Sequence, residues 1–271
     1  YALVLKITNL FNIFLKVFFL KNGKKIIIIA NGPSLKKDIK KIFKKRIFFE
    51  IYALNYFALT KEFKKIKPNC YFIADPIFWR SDINKDFKKD NSNFFKILSE
   101  VNWKMNLFCP KEALNFISNQ LEFNKFIVVS PILSRSFEFK SKKLNLLSLY
   151  HRITTPVFNN VLIVALWHAI QRKVPYIEFY GADFSAFKEL SVDQKTNELS
   201  SSFTHFYKNT KAQSNALHKY PDKVRKKIHL RFFQIWNSFN QMYFLSLVAK
   251  KKKIRVINCS SNSYLDSFER L

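Results

Sequence analysis

The chain has 271 residues, 48% of them hydrophobic and 17% aromatic, which excludes a disordered chain and leaves room for a sizeable core. Its 47 Lys and Arg against 19 Asp and Glu give a formal charge of +28, a field that suits polyanions, anionic membrane surfaces or phosphorylated small molecules. Lysines that merely coat helices would give the same number. The basic runs are lysine-rich, as in KKIFKKR, glycines number only three, and no zinc knuckle, aromatic RNA-binding signature or basic heptad region occurs, so nothing supports nucleic acid as a partner.

Residues 1–22 are strongly apolar but carry Lys6, Lys16, Lys21, Asn9 and Asn12, which interrupt the roughly 20 apolar residues a spanning helix needs. Two readings stay open for this segment: a basic amphipathic helix lying on an anionic membrane, or a helix packed on the domain. It lacks the small-residue cleavage site of a signal peptide.

Residues 23–271 read as one α/β domain, a single Rossmann-like, mostly parallel sheet flanked by helices, because short apolar runs alternate with helical patterns. KIIIIA at 25–30 is an unbroken β-branched run, as a strand covered on both faces requires. A Lys-rich helix is predicted over 35–45, a strand over 48–59, and further strands in CYFIAD, WKMNLFCP and KFIVVS, with a helix over 111–120. The stretch 154–173 predicts a helix with Thr154 or Thr155 as its cap and Pro156 in its first turn. YIEFYGAD predicts a strand that leaves the sheet at Gly181, and IRVINCSSNSY another near the end. Residues 185–210 form a polar insertion, and about 185–245 is expected to be a small helical lid.

Ligands of open α/β sheets bind beyond the carboxyl ends of the strands. The chain places there Asn31, Gly32, Pro33 and Ser34, then Asn55, Asp75, the Gly181 to Asp183 turn and Ser260 to Ser263. In ANGPSL, Gly32 allows close backbone approach, and Ser34 is placed to cap the next helix while its amides face an anion. A capped strand-to-helix turn with no ligand has the same sequence. Neither GxGxxG nor GxxxxGK[ST] occurs. Cys70, Cys109 and Cys259 lie far apart and suggest neither a disulfide framework nor a metal site; they fit a reducing cytoplasm.

Taken in order, IIIIANGPSL, ALNYFAL, FIADPIFW, HRITTPVFNNVLIVALWHAI, YIEFYGADF and THFYKNT resemble the elements of bacterial sialyltransferases of glycosyltransferase family 42, over roughly residues 25 to 265. In that family they read NGPSL, a CNxF turn, FYNP, RITSG, SGIDFY, and a histidine followed by KNT. INCSSNSYLDSFER also resembles the wider group with the NGPSL turn, which holds motility-accessory-factor-type transferases of nonulosonic acids and a pterin pyrophosphokinase branch.

The resemblance implies a GT-A-like variant of the fold and a metal-independent, inverting transfer. The donor would be a CMP-activated nine-carbon acidic sugar, and the acceptor a hydroxyl of a bacterial surface glycan such as lipooligosaccharide, capsule or O-antigen. By the same resemblance Asn31 and Asn55 contact the nucleotide and its phosphate, Arg152, Thr154 and Thr155 sit near cytidine and donor, and His205 is the base that deprotonates the acceptor. Two departures stand out: Ser185 replaces the family's leaving-group tyrosine, with Tyr207 or Tyr180 as substitutes, and Asp75 replaces an asparagine, where it suits ribose hydroxyls better than phosphate. No DxD motif is present to hold a metal, and no metal or cofactor is expected. His151 is an outside candidate as base, His168 is expected to be packed in its helix, and His218 and His229 to lie at the surface. The implied setting is cytoplasmic, peripheral on the inner membrane, with self-association left open. Two other functions compete: a Mg-dependent pterin-type pyrophosphokinase, and a non-catalytic basic protein that binds membranes or polyanions.

Overall fold

A computed structural model describes residues 25–80, 88–201 and 227–271, together with short strands at 215–216, 218–219 and 224–225. His205, Tyr207 and the segment 1–22 lie outside the described residues.

Strand β1 (Lys25–Ile29) is followed by helix α1 (Leu35–Lys45), β2 (Phe49–Leu54), the short α2 (Phe63–Ile66) and β3 (Cys70–Phe72). Then come α3 (Lys88–Ser99), β4 (Met105–Pro110), α4 (Leu114–Gln120), β5 (Ile127–Ile132), α5 (Lys142–Tyr150) and α6 (Val161–Gln171). After β6 (Tyr176–Tyr180) the chain forms β7 (Leu190–Val192), β8 (Leu199–Ser201), β9 (Asn215–Ala216), β10 (His218–Lys219) and β11 (Val224–Arg225), then α7 (Ile228–Lys251), β12 (Arg255–Asn258) and β13 (Glu269–Arg270).

Eight strands form one sheet in the order β13-β12-β6-β1-β2-β3-β4-β5, and every neighbouring pair runs parallel. The fold is therefore α/β and Rossmann-like, as the alternation of apolar runs and helical patterns predicts. The chain builds outward from β1 to β5, then returns to β6 on the other side of β1, so the direction of winding reverses between β1 and β6.

Ile26, Ile27, Ile28 and Ile29 are all fully buried. Ile26 and Ile28 face the layer built from α6 and α7, while Ile27 and Ile29 face the layer that contains α1, α3 and α4. Each such side chain contributes on the order of 1.5–3 kcal/mol relative to exposure. Helix α1 shows how the lysines are used: Leu35, Ile39 and Ile42 are buried on one stripe, and Lys36, Lys37, Lys40, Lys41 and Lys44 point to solvent.

Three elements differ from expectation. Strand β2 stops at Leu54, because Asn55 turns left-handed at φ 42° and opens a 3-10 turn over Asn55–Leu59. Helix α6 begins at Val161 with Asn160 as its cap, its side chain accepting from the Leu162 amide at 2.9 Å, rather than at the Thr pair. Asn is at least as good a cap as Thr, and Thr155 is already committed to a bridge with Ser136. The stretch expected as a helical lid contains antiparallel strands, β7-β8-β9 and β10-β11, before α7 starts at Ile228. Among the described residues, no helix is long and apolar enough to cross a membrane.

Candidate active site

At the carboxyl edge of the sheet, the turns after β1 and β6 lock together. The Ala30 amide donates to the Tyr180 carbonyl and the Gly32 amide to the Gly181 carbonyl, each at 2.8 Å. A Cβ on Gly32 would lie 2.5 Å from the Gly181 carbonyl oxygen and 2.7 Å from the Asp183 carboxyl. Gly181 adopts φ +68°, and a Cβ there would lie 2.6 Å from the Ala30 carbonyl oxygen. Both glycines thus allow close chain-to-chain approach.

Ser34 was expected to cap α1, but its backbone is already helical and its side chain makes no capping bond. Asp183 takes that role: its Oδ2 accepts from the Ser34 amide at 2.9 Å, and its Oδ1 accepts from the Ser34 hydroxyl. Burial raises the Asp183 pKa, while the Ser34 bonds pull the other way. A carboxylate already fills the start of α1, so a ligand phosphate placed there would meet like charge. The late turn is tied in by Ser260, whose hydroxyl accepts from the Ala182 amide at 2.9 Å, and by Ser263, which donates to the Ala182 carbonyl at 2.6 Å. The structural role foreseen for Asp183 fits this arrangement.

The next strand ends are bridged by amide side chains. Asn31 Nδ2 donates to the Leu54 carbonyl at 2.8 Å, one residue before Asn55. Asn55 Oδ1 accepts from the Ala74 amide at 3.3 Å, one residue before Asp75. Asn31, Asn55 and Asp75 therefore stand in a row across β1, β2 and β3. Asn31 Oδ1 is buried and has no hydrogen-bond partner among the described residues. Asp75 is occupied locally, its Oδ1 accepting from the Ile77 amide at 3.1 Å to cap the 3-10 turn Pro76–Phe78.

The other sequence candidates sit elsewhere. Thr154 and Thr155 are buried, with the Thr154 hydroxyl 2.8 Å from Ser148 Oγ and Thr155 Oγ1 accepting from the Arg135 amide at 2.9 Å. They line a cavity of about 10 Å³ with Phe137, Glu138 and Gln241, space for about one water. Arg152 Nη2 donates to the carbonyl of Gln171, the last residue of α6, at 3.0 Å. That places Arg152 where α6 turns back into β6, at the amino edge of the sheet and away from Asn31 and Asn55. Ser185 is buried at the start of a 3-10 turn. Tyr180 does not fill the place of the missing tyrosine: it is buried, its hydroxyl donates to Glu178 Oε2 at 2.7 Å, and burial raises its pKa.

The histidines divide as follows. His168 is packed in α6 with Nδ1 3.2 Å from the Tyr52 hydroxyl, and burial, with the Arg172 charge, lowers its pKa to about 3. His151 and His229 are exposed. Cys70, Cys109 and Cys259 are free and buried, and burial pushes the thiols of Cys109 and Cys259 up to about 12 and about 11, unsuited to nucleophilic work. Among the described residues, no three His, Cys, Asp or Glu side chains gather as a metal site would require.

Sequence reasoning missed a buried polar group between β2 and the end of α6. Arg172 Nη1 donates to Glu50 Oε1 at 2.6 Å and to the Tyr52 hydroxyl at 2.7 Å. The available signal was the single acid in the otherwise apolar run FFEIYAL, which must find a cation if it is to be buried.

No family model matches the chain, and no curated protein matches it. Among solved structures it is similar to the MAf glycosyltransferase from Magnetospirillum magneticum AMB-1, with a TM-score of 0.50 and 11% identity over 93% of this chain and 34% of that one. The chain thus spans about a third of that protein's length. At this identity the likeness concerns the fold.

Proposed function

We propose that the chain is an inverting, metal-independent glycosyltransferase that moves an acidic nine-carbon sugar from a CMP-sugar to a hydroxyl of a bacterial surface glycan. The observation that carries this reading is the row Asn31, Asn55, Asp75 at the carboxyl edge, beside the reversal of winding, with one buried acceptor atom lacking a partner. Similarity of fold to a glycosyltransferase supports it.

The geometry changes the part that Asn31 plays. Its amide nitrogen is engaged by Leu54, so the unpartnered atom is an acceptor, which calls for an N–H or O–H of the ligand and not for phosphate. A nucleoside offers both, through its ribose hydroxyls and the cytosine amine. In this reading Asn31 holds the nucleoside, and Asp75 accepts from a ribose hydroxyl. His205 takes the proton of the acceptor hydroxyl as the sugar is transferred, and CMP leaves with the bonding pair. Acceptors carried on lipid would bring the protein to the inner membrane face.

CMP, UDP and ADP titrated by calorimetry test the donor. CMP should bind most tightly, and Asn31→Ala should weaken it about tenfold, the value of one hydrogen bond. Equal binding of all three nucleotides, or no effect of the substitution, would refute the reading. Transfer from CMP-activated nonulosonates should persist in EDTA and vanish in His205→Ala while CMP still binds.

A further inference from the structure

We propose that the amino edge of the sheet carries a second binding site, a pocket for a multiply charged phosphate group. It is independent of the nucleotide reading and rests on different residues. A cavity of about 540 Å³ is lined by Tyr150, His151, Arg152, Lys173, Lys251, Lys252 and Lys253, with no carboxylate among them. The five cations come from three separate helix ends, those of α5, α6 and α7.

Each helix ends the same way. The residue just past each cap turns left-handed, Arg152 at φ 62°, Lys173 at 54° and Lys253 at 58°. Two of these ends close with the long bond of a Schellman motif, from the Ile153 amide to the Ser148 carbonyl and from the Ile254 amide to the Ala249 carbonyl, both at 2.9 Å. Glycine is the usual residue at that position, yet here all three are basic.

Cations at helix C-termini would be expected for the helix dipoles alone. Magnitudes decide against that as the whole account: three helix ends supply about −0.5 charge each, well short of the cations of Lys173, Lys251, Lys252 and Lys253 alone. The surplus is held in place. Lys252 Nζ donates to the Tyr150 carbonyl at 3.0 Å and lies 4.5 Å from the centre of the Tyr150 ring, with Lys251 Nζ at 5.3 Å from the same ring. Burial first, then the charges of Arg152 and Lys173, pull the Lys252 pKa down, which marks a repulsion that an anion would relieve. Phosphate with two or more charges fits such a set of donors.

A soluble phosphorylated molecule and a lipid with a phosphomonoester headgroup share this chemistry. Ile153, 63% exposed and next in the chain to Arg152, would suit a lipid surface.

The test uses the full chain and the double variant Lys173→Gly, Lys253→Gly, which removes two cations while giving both left-handed positions their preferred residue. The control is Lys40→Ala, Lys44→Ala on the exposed face of α1, with the same change in net charge. Inorganic pyrophosphate is titrated by calorimetry, and phosphatidylcholine vesicles with and without phosphatidic acid, a phosphomonoester lipid, are used in flotation. The pocket variant should bind at least about tenfold more weakly with an unchanged or higher Tm, and the α1 control should bind as the parent does. Loss confined to pyrophosphate identifies a soluble ligand, and loss confined to phosphatidic acid vesicles identifies a lipid. No binding of either probe by the parent, or equal effects of both double variants, would overturn the proposal.

Discussion

At the carboxyl edge of the sheet the chain spends two of its three glycines, Gly32 and Gly181, on a single contact between the turns after β1 and β6. At the amino edge three helix ends turn left-handed with no glycine at all, using Arg152, Lys173 and Lys253 instead. The contrast separates two constraints that are often treated as one. Close backbone approach excludes a Cβ outright, since 2.5 Å to a carbonyl oxygen cannot be relaxed without moving a strand. A left-handed φ only costs about 1–2 kcal/mol for an L residue, and a cation at a helix C-terminus regains part of that.

The amino edge also separates two kinds of charge. Arg172 is buried and paired with buried Glu50, whereas the neighbouring pocket cations face one another across a cavity. Arg172→Met should be the most damaging change, costing about 3–5 kcal/mol in urea denaturation because Glu50 is left buried without its cation. A loss below about 1 kcal/mol would mean that water reaches Glu50, and the distinction between the two kinds of charge would fail.

Gly32→Ala should cost about 1–3 kcal/mol by the same measurement, through overpacking against Gly181 and Asp183. It should also weaken CMP binding, because Asn31 is the adjacent residue. A neutral result would show that the two turns can separate.

Lys253→Gly should have the smallest effect and the opposite sign, raising stability by up to about 1 kcal/mol, read as a higher Tm. A lower Tm would show that the cation's interaction with the end of α7 exceeds the cost of its backbone conformation.

Much of the fold was legible because its signals are local. The four isoleucines of β1 announce burial on both faces, and the spacing of Leu35, Ile39 and Ile42 announces a helix lying on the sheet. Boundaries were less legible. Asn55 ends β2 by turning left-handed in front of Tyr56 and Phe57, which favour a continued strand, and Asn160 starts α6 where the Thr pair offers comparable caps.

For the candidate site, sequence order alone put Asn31, Asn55 and Asp75 at successive strand ends, since parallel strands in a wound sheet must deliver their carboxyl ends to one edge. It could not tell that Asp183 would reach across to the start of α1 and displace Ser34 as the cap, because those residues are separated by 149 positions and meet only when β6 pairs with β1. Nor could it separate Arg152 from the strand ends, or gather Arg152, Lys173 and Lys253 around one cavity. Composition determined that the protein would be basic and folded; the antiparallel return of α6 and α7 onto the sheet decided that their charged ends, and that of α5, would converge at the amino edge.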